Sequence, residues 1–112
     1  MFYDCRSLTE IVFPEVHANK LWSAYEMFKG CTNLRNINLE GLKTDSIKIM
    51  ISMFENCKNL EYLNIQNLNT KNALYFTNIF YGIKNCINIT YDYYITHSNL
   101  RFEIYGISCD EQ

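Results

Sequence analysis

Phenylalanine recurs at a spacing of 26 residues, at Phe2, Phe28, Phe54 and Phe80. Each lies near the start of a near-copy of one segment: MFYDCRSLTEIVF, MFKGCTNLRNINL, MFENCKNLEYLNI and the decayed IFYGIKNCINITY. A period in this range marks stacked-repeat architecture, in which each unit buries its apolar face only against its neighbours. The repeat therefore points to architecture and to an interaction role, without naming a ligand.

One unit can be read residue by residue. Leu34-Arg35-Asn36-Ile37-Asn38-Leu39 is apolar at its first, fourth and sixth places, matched by Leu8, Ile11, Phe13 and by Leu60, Leu63, Ile65. Alternation over the last three places predicts a short strand with one face buried. A further apolar site follows (Val16, Leu42, Leu68), then a polar loop ending in Thr44 or Thr70. Ile47, Met50, Phe54 and Cys57 are then spaced by three, four and three, as on one helical stripe. Leu21, Ala24, Phe28, Cys31 and Ala73, Phe76, Phe80, Ile83 repeat that spacing. Thr44-Asp45-Ser46 supplies N-cap oxygens, and Gly30 and Asn56 suit the exit from a helix. Each unit is thus expected to be a strand, a loop and a short helix. Parallel stacking would put strands on one face and helices on the other. The expected core comprises Phe2, Phe28, Phe54 and Phe80, Cys5, Cys31 and Cys57, Leu8, Leu34 and Leu60, with Ile11, Ile37 and Leu63.

Composition removes several alternatives. At 112 residues with 48% apolar content the chain has the size of one domain and is not disordered by default. A net charge of −2 gives no electrostatic case for nucleic acid or an anionic membrane. Apolar runs are short, so no membrane insertion is expected. No signal peptide is visible. Met1 is in register with Met27 and Met53, so the chain starts within a repeat, as a natural start, a truncated chain or an incomplete gene model would.

Five cysteines are present, three of them (Cys5, Cys31, Cys57) at one repeat position. Cys109 shares that register, and Ile83 takes the intervening place, so a column of buried, reduced thiols is expected. A disulfide is the lesser reading. Cys86 with His97 and Cys109 has no recognised zinc spacing, so no metal and no cofactor are expected. His17 and His97 read as solvated loop residues, and phosphate-cradling glycine loops are missing. Asn88-Ile89-Thr90 is a glycosylation sequon lying on an expected strand. No convergent polar constellation is visible, so no enzymatic activity is expected.

The pattern M-F-x-G/N-C-x-N-L-x-x-L/I-N-L/I over residues 1 to about 90 resembles the BspA-type leucine-rich repeats of bacterial and protist surface proteins. Ile11-Val12-Phe13-Pro14 is similar to the I-x-I-P segment of that family. The resemblance implies an α/β fold, a right-handed leucine-rich-repeat solenoid of about four 26-residue coils. These would be 1–26, 27–52, 53–78 and 79–104, with a degenerate segment 105–112, in a single unit. There are departures. Val16, Leu42 and Leu68 stand where ordinary leucine-rich repeats place a loop-bonding Asn, so Thr44 and Thr70 are expected to satisfy the loops. Phe102 keeps the register of Met50 and Phe76, but Gly106 replaces the next Phe, as in a terminal cap.

The resemblance further implies a cell-surface or secreted adhesion-type protein that binds other proteins or host matrix. The alternative is a cytoplasmic scaffold, or a fragment of a longer repeat protein without independent function. Outward strand positions would form three columns: Thr9, Arg35, Glu61, Ile87; Glu10, Asn36, Tyr62, Asn88; and Val12, Asn38, Asn64, Thr90. Arg35 and Glu61 are expected to pair across the sheet. Arg35, Asn36, Asn38, Glu61, Tyr62, Asn64 and Asn88 are the candidate binding residues, with Tyr62 foremost because an exposed Tyr gives contact area at low entropy cost. Four strands give a sheet face of roughly 300 Å², against about 800 Å² per partner in a standard interface. Further repeats, participating loops or self-association would have to supply the rest.

Overall fold

The computed structural model describes residues 2–18, 21–43, 47–84, 86–91 and 98–109. The expected N-cap Thr44-Asp45-Ser46, Met1, His97 and the tail 110–112 lie outside the described residues, and the side chain of Phe102 is likewise not described.

The chain is a mixed α/β molecule with parallel strands in two sheets and one helix among the described residues. The elements are β1 (Glu10–Val12), β2 (Val16–His17), β3 (Asn36–Asn38), β4 (Leu42–Lys43), β5 (Tyr62–Asn64), β6 (Asn88–Thr90) and α1 (Ser98–Ile107). The larger sheet runs β1-β3-β5-β6, all parallel, and the smaller pairs β2 with β4. Ile11, Ile37, Leu63 and Ile89 share one row of that register, and each is buried. The pairing step is therefore the sequence period itself.

β3 and β5 each end on an Asn. Asn38 Oδ1 accepts from the Glu40 amide (2.9 Å), and Asn64 Oδ1 accepts from the Gln66 amide (2.8 Å). These side-chain turns end the strand and satisfy the loop backbone. The loop bonding expected of Thr70 comes instead from Asn64, six residues earlier, and Asn38 does the same one unit before. In the turn that follows, Gly41 packs against the Phe13 and Pro14 carbonyls, where a Cβ would collide.

The helices expected over 21–31, 47–57 and 73–83 are not formed. Residues 25–30, 51–56 and 77–82 are consecutive tight turns. Alternate amides explain the difference. Those of Ala24, Glu26, Phe28 and Gly30 donate to the carbonyls of Ile49, Ile51, Met53 and Glu55, at 2.8–3.0 Å. Those of Met27, Lys29 and Cys31 bond back three residues, to Ala24, Glu26 and Phe28. A helix would have kept all these bonds within one unit. Here four of these seven join one unit to the next. The cost is left-handed backbone at Glu26, Ser52 and Asn78, and again at Asp4, Gly30, Asn56 and Gly82. Asp, Gly and Asn tolerate that region, whereas Glu26 holds it under strain. A Cβ at Gly30 would meet the Asp4 carboxylate, and one at Gly82 the Asn56 amide, so a bulky Asx in one unit faces glycine in the next.

The spacing of three and four still points the rings inward. Phe2, Phe28, Phe54 and Phe80 form one stack with centroid separations of 5.5, 5.7 and 5.6 Å and interplanar angles of 2°, 4° and 9°. Phe28 and Phe54 are fully buried, and Phe2 is half-buried. The thiols of Cys31 and Cys57 are buried beside them and donate to the carbonyls of Phe2 (2.9 Å) and Phe28 (3.2 Å) of the preceding unit. Burial pushes the Cys57 thiol up to about 12, with the neighbouring Cys31 adding to the rise. Burial likewise raises Cys31, so both remain S–H donors at neutral pH. Cys5, half-buried, is free, as are these two. Asn33 and Asn59 add a second link, their amides donating to the Arg6 and Thr32 carbonyls (2.7 Å each).

Cys109 does not join that column. It is disulfide-bonded to Cys86, across a sequence separation of 23. The fourth unit explains why. Cys86 takes the place of Leu8, Leu34 and Leu60, is exposed, and has left-handed backbone (φ 68°). Residues 98–107 form α1, whose Leu100, Ile104 and Ile107 are buried in the core. The chain then runs past Ile87: the Ile87 amide donates to Ile107 O (2.8 Å) and the Cys109 amide to Ile87 O (3.2 Å).

Candidate functional site

The sheet face brings the candidate residues together in part. β1, β3, β5 and β6 place Glu10, Asn36, Tyr62 and Asn88 side by side in register. Asn36 and Asn88 are exposed and Tyr62 is half-buried between them. Just before this row, Arg35 Nη1 lies 3.5 Å from Glu61 Oε2, and Lys84 Nζ approaches the same oxygen at 3.8 Å. The pair expected across the sheet is present, on two side chains that are each more than half exposed. At such exposure water screens the attraction, so the pair orients its members more than it stabilises them.

The third column departs from an outward row. Val12 is 58% exposed, Asn38 is half-buried and Asn64 only 5% exposed. Besides ending its strand, Asn64 donates from Nδ2 to Glu40 Oε1 (3.4 Å). Asn64 is therefore a structural residue of the β5 exit rather than part of an accessible face. Ile87, placed outward in the first column, is buried at 1%, because residues 107–109 run alongside it. The accessible candidates reduce to Arg35, Asn36, Glu61, Tyr62 and Asn88, with Asn38 at the rim.

Beyond that rim the strand exits and the smaller sheet enclose a shallow depression of about 300 Å³. It is lined by Phe13, Glu15, Asn38, Glu40, Gly41, Lys43 and Asn67. Lys43 Nζ lies 3.9 Å from Glu15 Oε1, and His17 Nε2 3.6 Å from the same oxygen. Phe13 is the single large apolar side chain lining it, whereas small-molecule pockets are mostly apolar. It extends the sheet face with polar and charged groups.

Sequence reasoning missed the opposite side. Trp22, Tyr25, Leu74, Tyr75 and Tyr81 are each more than half exposed on the turn segments. Parallel bridges Ser23↔Ile49 and Ile49↔Tyr75 fix their alignment, so Trp22, Lys48 and Leu74 occupy equivalent places in three units. The signal was available: the residue just after Leu21 or Ala73 must point away from the inward stripe. Assigning these segments to helices with a polar outer face hid it.

No described helix is long and apolar enough to cross a membrane. No match was found among curated proteins or among solved structures. One family model does match, over residues 1–100, and that span takes in all six strands together with the start of α1. With that coverage, the chain belongs to the family described as Mycoplasma protein of unknown function, DUF285.

Proposed function

We propose that this chain is a non-catalytic protein-interaction module of the leucine-rich-repeat type. In this reading its 26-residue units are coils of a right-handed solenoid resembling the BspA-type repeats, and it works at the cell surface or in a secreted protein. The observation that carries the reading is the row Asn36, Tyr62 and Asn88 on a parallel sheet, its two Asn exposed and Tyr62 half-buried between them, flanked by the Arg35–Glu61 pair. An aromatic ring between two amides offers contact area and hydrogen-bonding groups to a protein partner. The Cys86–Cys109 disulfide supports an oxidising, extracytoplasmic compartment over a cytoplasmic scaffold.

The test is binding of the purified chain to immobilised extracellular-matrix proteins, compared with the Tyr62→Ala and Asn36→Ala variants. A central aromatic contact predicts that Tyr62→Ala weakens binding at least about tenfold, with the melting temperature little changed. Binding that ignores Tyr62→Ala but is lost in Trp22→Ala would move the contact to the turn side and sink the sheet-face assignment.

A further inference from the structure

The sheet has two edges, and they are treated differently. At the β6 edge, residues 107–109 bridge to Ile87 and α1 covers the core. At the β1 edge, no described residue pairs with the outer side of the strand. β1 bonds β3 through the Thr9 carbonyl and the Phe13 amide, so alternation turns the amides and carbonyls of Glu10 and Val12 to the free side. The core is also open there. Phe2, Cys5 and Leu8 are half-buried, whereas Phe28, Cys31 and Leu34, one unit in, are at 0% exposure. Val12 stands on this edge at 58% exposure.

An open parallel edge with exposed core behind it is a template for another strand. At the other end residues 107–109 and α1 lie in the way of a head-to-tail addition, which would have to displace them. A symmetric contact through β1 alone gives a closed dimer. Extents of 31 × 29 × 22 Å imply a cross-section on the order of 500 Å². Two such faces bury on the order of 1,000 Å², near the lower limit for a specific interface.

We propose that the β1 edge is a homodimer interface, in which β1 pairs antiparallel with the β1 of a second copy about an axis through Ile11. Charge and backbone pairing select this register: with Val12 on the axis, Glu10 would lie opposite a proline, Pro14, which has no amide to donate. With Ile11 on the axis, Glu10 lies opposite the partner's Val12, and the free amides and carbonyls of both residues are satisfied. With Glu10 on the axis, two like charges would face each other directly. The chosen register joins two four-stranded sheets into one continuous face and covers Phe2, Leu8 and Val12. The inference goes beyond the proposed function and does not depend on it, since no ligand enters the argument.

Sedimentation velocity of the 112-residue chain from about 1 μM to about 1 mM tests it directly. A monomer–dimer equilibrium is expected within that range. Val12→Glu sets Glu against Glu at both symmetric sites and weakens the dimer about tenfold or more, with circular dichroism unchanged. Glu10→Lys with Val12→Glu restores opposite charges across the axis and recovers the dimer. A chain that stays monomeric throughout overturns the proposal, and does so in favour of a further repeat unit if it captures a synthetic peptide of residues 27–52. A dimer indifferent to Val12→Glu overturns the β1 assignment. One that the double variant fails to recover overturns the register.

Discussion

The two ends of this molecule carry near-copies of one sequence and finish differently. At the N-terminal end the repeat pattern is good, yet Phe2, Cys5 and Leu8 remain half-exposed because nothing in the described chain packs beyond them. At the C-terminal end the pattern has decayed, yet Ile87 and Ile89 are buried at 1% and 6%. Sequence fidelity to the repeat therefore does not measure how well a unit is covered. Coverage comes from the neighbour, as expected where each unit contacts only the units beside it. At the C-terminal end that neighbour is α1 with the disulfide rather than a repeat.

The largest test of this contrast uses the phenylalanine stack. Phe80→Ala and Phe54→Ala remove rings that are 6% and 0% exposed and should each cost about 3–5 kcal/mol, cavity included. Phe2→Ala at the open end, where one side of the ring lacks a neighbour, should cost roughly 1 kcal/mol. Urea denaturation of the three variants decides. Equal losses at Phe2 and Phe80 would mean that the open end is covered in solution, and at high protein concentration the β1 dimer predicts a shift of just that kind.

The second test opens the closed end. Removing the disulfide with Cys86→Ser and Cys109→Ser frees a 23-residue separation and should cost about 2–4 kcal/mol. Hydrogen exchange should quicken first at the amides of Leu100 and Ile104, while the β1–β3 ladder keeps its protection. Thiol counting supplies the control. Denatured without reductant the chain should show three thiols, and five after reduction. Cys5 should react with thiol reagents in the native state before Cys31 and Cys57, which are fully buried.

How much of this was legible in the sequence depends on what each signal constrains. The register was legible. A 26-residue repeat with Ile11, Ile37 and Leu63 in phase admits one way of stacking, and the observed pairs follow it. The turn segments were misread because spacing of three and four fixes only which side chains point inward. It does not tell a helix from two tight turns whose alternate amides reach the next unit. Gly30, Asn56 and Gly82 hinted at left-handed backbone, but Glu26 carries the same conformation without any compositional sign. The candidate face was legible at Asn36, Tyr62 and Asn88. It failed at Asn64, whose amide ends its strand, and at Ile87, where α1 and the segment after it create burial that no repeat pattern encodes. The disulfide was hidden for the same reason, since Cys86 and Cys109 meet only once the chain leaves the repeat.

The third test reads the interior between the ends through pH. The folded state holds Cys57 protonated up to about 12, against an ordinary thiol value of 9.0. Between those values the unfolded chain has lost a proton that the folded chain retains, so stability is fully present below pH 9 and falls as pH rises toward 12. The loss should be about 1 kcal/mol by one pH unit above the ordinary value. Urea midpoints at neutral and alkaline pH measure it, with Cys57→Ala as reference for tyrosine ionisation. If the slope is the same in Cys57→Ala, the thiol is not sheltered as the structure shows.

The smallest effect lies on the outer face. Arg35 and Glu61 meet at 3.5 Å, each more than half exposed, and Glu61 also has Lys84 at 3.8 Å. In the same column the open end offers Thr9, which carries no charge. The charge pairing is therefore displaced toward the closed end. A double-mutant cycle on Arg35→Ala and Glu61→Ala should give a coupling of about 0.2–1 kcal/mol that fades with added salt. Adding Lys84→Ala should raise the Arg35–Glu61 coupling slightly, because Glu61 then has one cation to satisfy rather than two. A coupling well above that range would mean that the face is shielded from solvent. Something would then cover the sheet as α1 covers the closed end, and the row of Asn36, Tyr62 and Asn88 would no longer be open to a protein partner.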